Sequence, residues 1–144
     1  MSEPLQILLV DDNPGDVDLV KAALRESSAP FFLHVAWDGL QALEFLRQEN
    51  PYAHMPRPDL IFLDLNLPRK NGREVLRIIK QDPRLRLIPV VVLTTSDAQS
   101  DVLTCYEFQA NSYVIKPACL EDFTKVVGVI EQFWFKTVKL PACC

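Results

Sequence analysis

The sequence predicts an α/β fold: a doubly wound parallel sheet of five strands with helices on both faces. Three observations predict it. Short apolar runs alternate five times with amphipathic stretches along the 144 residues. The runs ILLV, LIFL and VVVL are continuously apolar rather than alternating, as strands covered on both faces are. Strands of four to seven residues separated by helical segments make βαβ units, in which neighbouring strands run parallel.

The elements follow in order. QILLVDD is a short buried strand. In the next stretch, NPGDVDLVKAALRESS, Asn13 suits a helix N-cap and Pro14 the first helical position. Val17, Val20 and Leu24 repeat on one face of that helix. FFLHVAW is the second strand, and Asp38–Gly39 turns into the helix LQALEFLRQ. Residues 49–58 hold three prolines and form a loop. DLIFLDL is the third strand, and GREVLRIIKQ is a helix stopped by Asp82–Pro83. IPVVVLTT is the fourth, β-branched strand. DAQSDVLTCYEFQ is the fourth helix, capped by Ser96 or Asp97 and closed by Asn111, a residue tolerant of left-handed backbone. SYVIK is the fifth strand, and Pro117 leads to the last helix, LEDFTKVVGVIEQFWFKTV.

Length and a hydrophobic fraction of 49% fit about one domain, residues 1–144, with a proper core and a short tail after about 137. A charged fraction of 24% and a net charge of −4 argue against direct binding to nucleic acid or a membrane surface. No apolar run reaches bilayer length and MSEPLQ has no secretory pattern, so a cytoplasmic location is expected. Cys105, Cys119, Cys143 and Cys144 make neither a C-x-x-C pair nor a zinc pattern with His34 or His54; reduced thiols are expected, and no role is assigned to Cys143 and Cys144.

In an open α/β sheet, ligands bind outside the carboxyl ends of the strands. Asp11 and Asp12 end the first strand, Asp64 the third, Thr94, Thr95 and Ser96 the fourth, and Lys116 the fifth. Taken singly, an Asp there is commonly a helix cap, a Lys–Pro a strand exit, and a Thr–Thr–Ser cluster an N-cap. All these groups at the correct strand ends is a rare coincidence. Three carboxylates that close repel one another unless a cation intervenes. A hard divalent cation such as Mg²⁺ takes one or two carboxylates and leaves room for phosphate oxygens. A Lys and a Thr hydroxyl suit the remaining oxygens of a phosphoryl group, and an Asp can itself be the nucleophile.

The pieces LLVDDNPGD, DLIFLDLNLPRKNG, IPVVVLTTS and YVIKP, agreeing in order and spacing over nearly the whole chain, resemble the receiver domain of two-component response regulators. The resemblance implies a flavodoxin-like (βα)5 fold with strand order 2-1-3-4-5. It implies that Asp64 is the phosphoacceptor and that Asp11, Asp12, Asp64 and the backbone carbonyl of Asn66 hold Mg²⁺. Thr94 looks like the switch hydroxyl and Tyr113 like the aromatic that follows it inward. Lys116 pairs with a phosphoryl oxygen, with a cis bond to Pro117. The donor is then a phosphohistidine on a sensor kinase, and the face of helix four, strand five and helix five is remodelled for a downstream partner the sequence does not name. PRKNGREVLRIIKQDPRLRLIPVVVLTTS, the NPGD after the acidic pair and IEQFWFKTVKLP look like the small response regulators that partner cyanobacterial phytochrome kinases. Thr95 stands where a small residue is commoner in the family, and Gln109 and Asn111 replace glycines often seen there; both bear on phosphoryl lifetime.

Phe123, Val126, Val127, Ile130 and Trp134 make one face of the last helix, and Val129 and Phe133 widen the stripe beyond what core packing needs. That stripe suits either a broadly buried helix or a homodimer face; a homodimer is expected. The function expected is a signalling switch with only self-phosphorylation and slow self-dephosphorylation chemistry, not a turnover enzyme. The alternatives are a Mg²⁺-dependent aspartyl-phosphate phosphatase and a non-phosphorylated adaptor. Such phosphatases usually place a second acid two residues after the nucleophile, where this chain has Asn66.

Overall fold

A computed structural model describes residues 3–141; Cys143 and Cys144 lie outside them. The elements are β1 (Leu5–Val10), α1 (Pro14–Leu24), β2 (Phe31–Ala36), α2 (Gly39–Leu46), β3 (Leu60–Leu63), α3 (Gly72–Gln81), β4 (Val90–Thr94), α4 (Gln99–Glu107), β5 (Ser112–Ile115) and α5 (Leu120–Glu131). The strands form one parallel sheet in the order β2-β1-β3-β4-β5. The predicted fold class and strand order are therefore those observed.

The continuously apolar runs are explained by burial on both sides. Every residue of β3 and β4 is buried. Leu8, Val10, Ile61, Leu63, Val90 and Val92 pack with α2, α3 and α4 on one face. Ile7, Leu9, Leu60, Phe62, Val91 and Leu93 pack with α1 and α5 on the other. Alternate residues of each strand thus serve two cores, as the pleat requires.

Local signals behave as read where their partners are near in sequence. Asn13 caps α1, its Oδ1 accepting from Asp16 N–H, with Pro14 first in the helix. Asp38 caps α2 through Gln41 N–H at 2.7 Å. Gly72 opens α3 after the Asn71 cap, and Asp82 ends it.

Four readings are corrected. α4 begins after Ala98 with no side-chain cap; the Ser96 hydroxyl instead donates to Asp101 at 2.6 Å. The left-handed residue closing α4 is Gln109 (φ 74°), not Asn111. Asn111 is occupied as an acceptor, its Oδ1 taking hydrogen bonds from Val90 N–H at 2.8 Å and Lys80 Nζ at 3.0 Å. The cis peptide among the described residues is Asn50–Pro51, so Lys116–Pro117 is trans; an X–Pro bond prefers trans by only about 0.5–1 kcal/mol, and local packing selects. Finally, the last helix does not stay α-helical. Gln132–Thr137 form a π-helical segment, with Val138 N–H donating to the Phe133 carbonyl five residues back. The wider turn lets consecutive residues Trp134 and Phe135 both reach the core, Phe135 lying 5.9 Å from the Phe31 ring. Val129 and Phe133 stay outside, 69% and 48% exposed.

Candidate functional site

Register assembles the site. Val10 pairs with Leu63 across β1 and β3, and the next residue on each strand is an acid. The ladder continues through them: Asp64 N–H donates to the Val10 carbonyl and Asp11 N–H to the Ala36 carbonyl. Lys116 N–H donates to the Thr94 carbonyl at 2.7 Å, carrying the β4–β5 ladder one step further. Asp11, Asp64, Thr94 and Lys116 are all buried, the polar exceptions in an apolar interior.

The Lys116 ammonium is the hub. Its Nζ lies 2.7 Å from Asp11 Oδ2, 2.8 Å from Asp16 Oδ2 and 2.9 Å from Asp64 Oδ2. An ammonium has three hydrogens, and three carboxylates receive them. Burial works against the charged form of Lys116, but these bonds outweigh it and its pKa is raised above the ordinary value. Burial raises the pKa of Asp11, opposed by its bonds to Lys116 and to Asn13 N–H. The other oxygens are held by backbone: Asp11 Oδ1 accepts from Asn13 N–H and Asp64 Oδ1 from Leu65 N–H.

Of the residues singled out in the sequence, Asp11, Asp12 and Asp64 come together, with one oxygen from each within 4.8 Å of the others. Asp12 is exposed at the mouth. Asn66 follows on the β3–α3 loop, its N–H 3.4 Å from Asp64 Oδ1. Asp16 was missed as a site residue. The signal was available in NPGD, whose acid falls in the first turn of α1, but its partner lies 100 residues away.

Gly72 holds the β3–α3 loop against the strand. A Cβ there would collide with the Asp64 carbonyl oxygen and with Leu65. Thr94 is fully buried, and its hydroxyl oxygen has no hydrogen-bond partner. An orphaned buried hydroxyl beside an acidic site marks room for a polar group. All-oxygen donors suit a hard cation, and three carboxylates on one ammonium, with Asp12 clustered beside Asp11 and Asp64, leave an excess of negative charge for it to balance. The residues present therefore fit a divalent metal.

Tyr113 is half-buried, its hydroxyl donating to the Ser96 carbonyl at 2.8 Å. Ser96 also binds Asp101, which is paired with Arg73 at 2.6 Å. The hydrogen bond from Ser96, then that from Arg73, hold the Asp101 carboxyl below its ordinary pKa. A chain of polar contacts thus runs from the start of α3 to Tyr113. Thr95 is exposed on the rim.

The chain is similar to known proteins over nearly its full length. Residues 7–128 match the response regulator receiver domain model. The response regulator Rcp1 of Synechocystis sp. is 51% identical over 96% of this chain and 95% of its own length. The crystal structure of the Mn²⁺-bound form of Rcp1 superposes with a TM-score of 0.95, covering 96% of this chain and 100% of that one. The phosphorylated cyanobacterial phytochrome response regulator RcpA is 46% identical, with a TM-score of 0.95 over 97% of this chain and 100% of that one. With the acid–lysine rim at the carboxyl ends of its sheet, this chain belongs to the response regulator receiver family.

Proposed function

We propose that the chain is a phosphorylatable switch in which Asp64 takes a phosphoryl group from a sensor histidine kinase, one of phytochrome type, within the cytoplasm. The observation that carries this reading is the Lys116 ammonium bonded to Asp64 Oδ2 at 2.9 Å, with Thr94, whose buried hydroxyl has no partner, ending the adjacent strand and accepting the Lys116 N–H at its carbonyl. The similarity to Rcp1 and RcpA supports the choice of kinase.

In the transfer, Asp64 Oδ2 attacks phosphorus, the P–N bond to the donor histidine breaks, and the imidazole nitrogen keeps the electron pair. Asp11, Asp12, Asp64 and the Asn66 carbonyl would hold Mg²⁺, which when bound offsets charge on the phosphoryl oxygens. Lys116 exchanges its bond to Asp64 for one to a phosphoryl oxygen. The Thr94 hydroxyl, already unpartnered, donates to another. The added charge of roughly −1.5 to −2 draws the β4–α4 loop inward, and Tyr113 changes its hold on Ser96. Later, water attacks phosphorus, the Asp64–phosphorus bond breaks, and inorganic phosphate leaves.

The shifted elements carry exposed Leu103, Tyr106, Ile115 and Leu120, suited to a downstream protein or phosphotransfer partner. Exposed Val129 and Phe133 on the outer side of the last helix support a homodimer. Sedimentation is expected to give a dimer, and a clean monomer at tens of micromolar overturns that part. The central test incubates the protein with Mg²⁺ and a panel of phosphorylated histidine kinases, a phytochrome kinase included, beside Asp64→Asn. Uptake lost in the variant supports the switch. No uptake from any donor supports the adaptor, and rapid turnover of small phosphomonoesters the phosphatase.

A further inference from the structure

We infer that Asp16 is a positioning residue, a tether that keeps the Lys116 ammonium over the site while the other two carboxylates change partners. The inference rests on the reading of Asp64 as phosphoacceptor. Three acids hold Lys116 Nζ at 2.7–2.9 Å, and they are not equivalent. Asp11 and Asp64 both belong to the carboxylate cluster that suits a metal; Asp16 does not. Once Asp64 is phosphorylated and Asp11 faces a cation, two of the three bonds to Lys116 weaken. Asp16 alone keeps a free carboxylate for the ammonium.

Its place in the fold suits a tether. Asp16 lies in the first turn of α1, its N–H bonded to the Asn13 cap at 3.1 Å, above buried Val17 and Val20. Its carboxylate approaches Lys116 from the helix side, 23% exposed, whereas Asp11 is 1% exposed. Charge-assisted bonds of this kind are directional, so losing one lets a flexible lysine stem sample other rotamers.

The test compares Asp16→Asn, Asp16→Glu and Asp18→Asn for phosphoryl uptake from labelled acetyl phosphate with Mg²⁺. Asp18 is exposed on the same helix, so its variant removes the same charge without touching Lys116. Expected is about a tenfold slowing in Asp16→Asn, partial recovery in Asp16→Glu and less than about a twofold change in Asp18→Asn. In the ¹⁹F spectrum of the beryllofluoride adduct, the fluorine beside Lys116 should shift in Asp16→Asn and return in Asp16→Glu. In a Lys116→Met background, Asp16→Asn should slow uptake no further. Unchanged uptake, faster uptake or an equal slowing in that background overturns the tether. If the wild type takes up no phosphoryl group from acetyl phosphate or from any phosphorylated kinase, the phosphoacceptor reading fails by itself. Urea midpoints of the two single variants and the double variant in chelator then decide: coupled midpoints support the tether, and additive ones overturn it.

Discussion

Replacing Lys116 by Met tests the electrostatic account of the site. The lysine side chain is 3% exposed and its partner Asp11 1%, so neither charge is well solvated once the other is gone. At about 2.8 Å and an effective dielectric of about 20, each ion pair is worth roughly 6 kcal/mol of attraction before desolvation is subtracted. Desolvation of four ions consumes most of that sum. Removing one partner of a buried pair costs roughly 3–5 kcal/mol net, because the remaining charge stays buried. Here three carboxylates lose their cation together. Against a total stability of about 5–15 kcal/mol, the variant still folds but weakly. With a urea slope of about 2 kcal/mol per M, its midpoint in chelator should fall by about 2 M. The pH dependence follows in sign. Asp11 already has a raised pKa, and removal of the ammonium raises it further. A carboxyl whose folded pKa exceeds its unfolded value loses stability as pH rises through that interval, so the variant should be relatively more stable near pH 5 than at pH 7. Mg²⁺ at about 100 times its dissociation constant should return about 2.7 kcal/mol. A midpoint within about 0.3 M of wild type in chelator refutes the reasoning.

Other perturbations have defined outcomes. Gly72→Ala forces a Cβ into the backbone of Asp64 and Leu65; overpacking of that kind costs about 1–3 kcal/mol, and phosphoryl uptake should fall with thermal stability. Arg73→Ala breaks the partly exposed pair with Asp101, costing no more than about 1 kcal/mol. NMR titration should then show the Asp101 carboxyl moving back up toward its ordinary pKa, and amide exchange in the first turn of α4 should quicken. Burial lowers the His34 pKa below its ordinary 6.5, so the unfolded chain takes the proton first. Stability should therefore decline as pH drops below about 6.5, and urea melts of His34→Gln should show a flatter decline; an unchanged slope would rule out this histidine as the source.

What the sequence alone determined is what depends on near neighbours or on simple periodicity. Runs of apolar residues marked strands buried on both faces, because a parallel sheet covered by helices leaves no polar side. Asn13, Asp38 and Gly72 marked helix starts, because a cap acts within a few residues of itself. The strand-end acids, Thr94 and Lys116 could be gathered on one rim, because chain direction in a parallel sheet places every carboxyl end together. The tertiary structure decided what depends on distant partners. Asn111 is not the left-handed residue, since Val90 and Lys80 claim its side chain and Gln109 takes the strained position instead. The π-helical turn forms where two adjacent aromatics both find core to fill. Asp16 became a site residue only when the sheet brought Lys116 beside α1 across 100 positions of chain. No local pattern encodes such a contact, because its energy exists only after the intervening elements have packed.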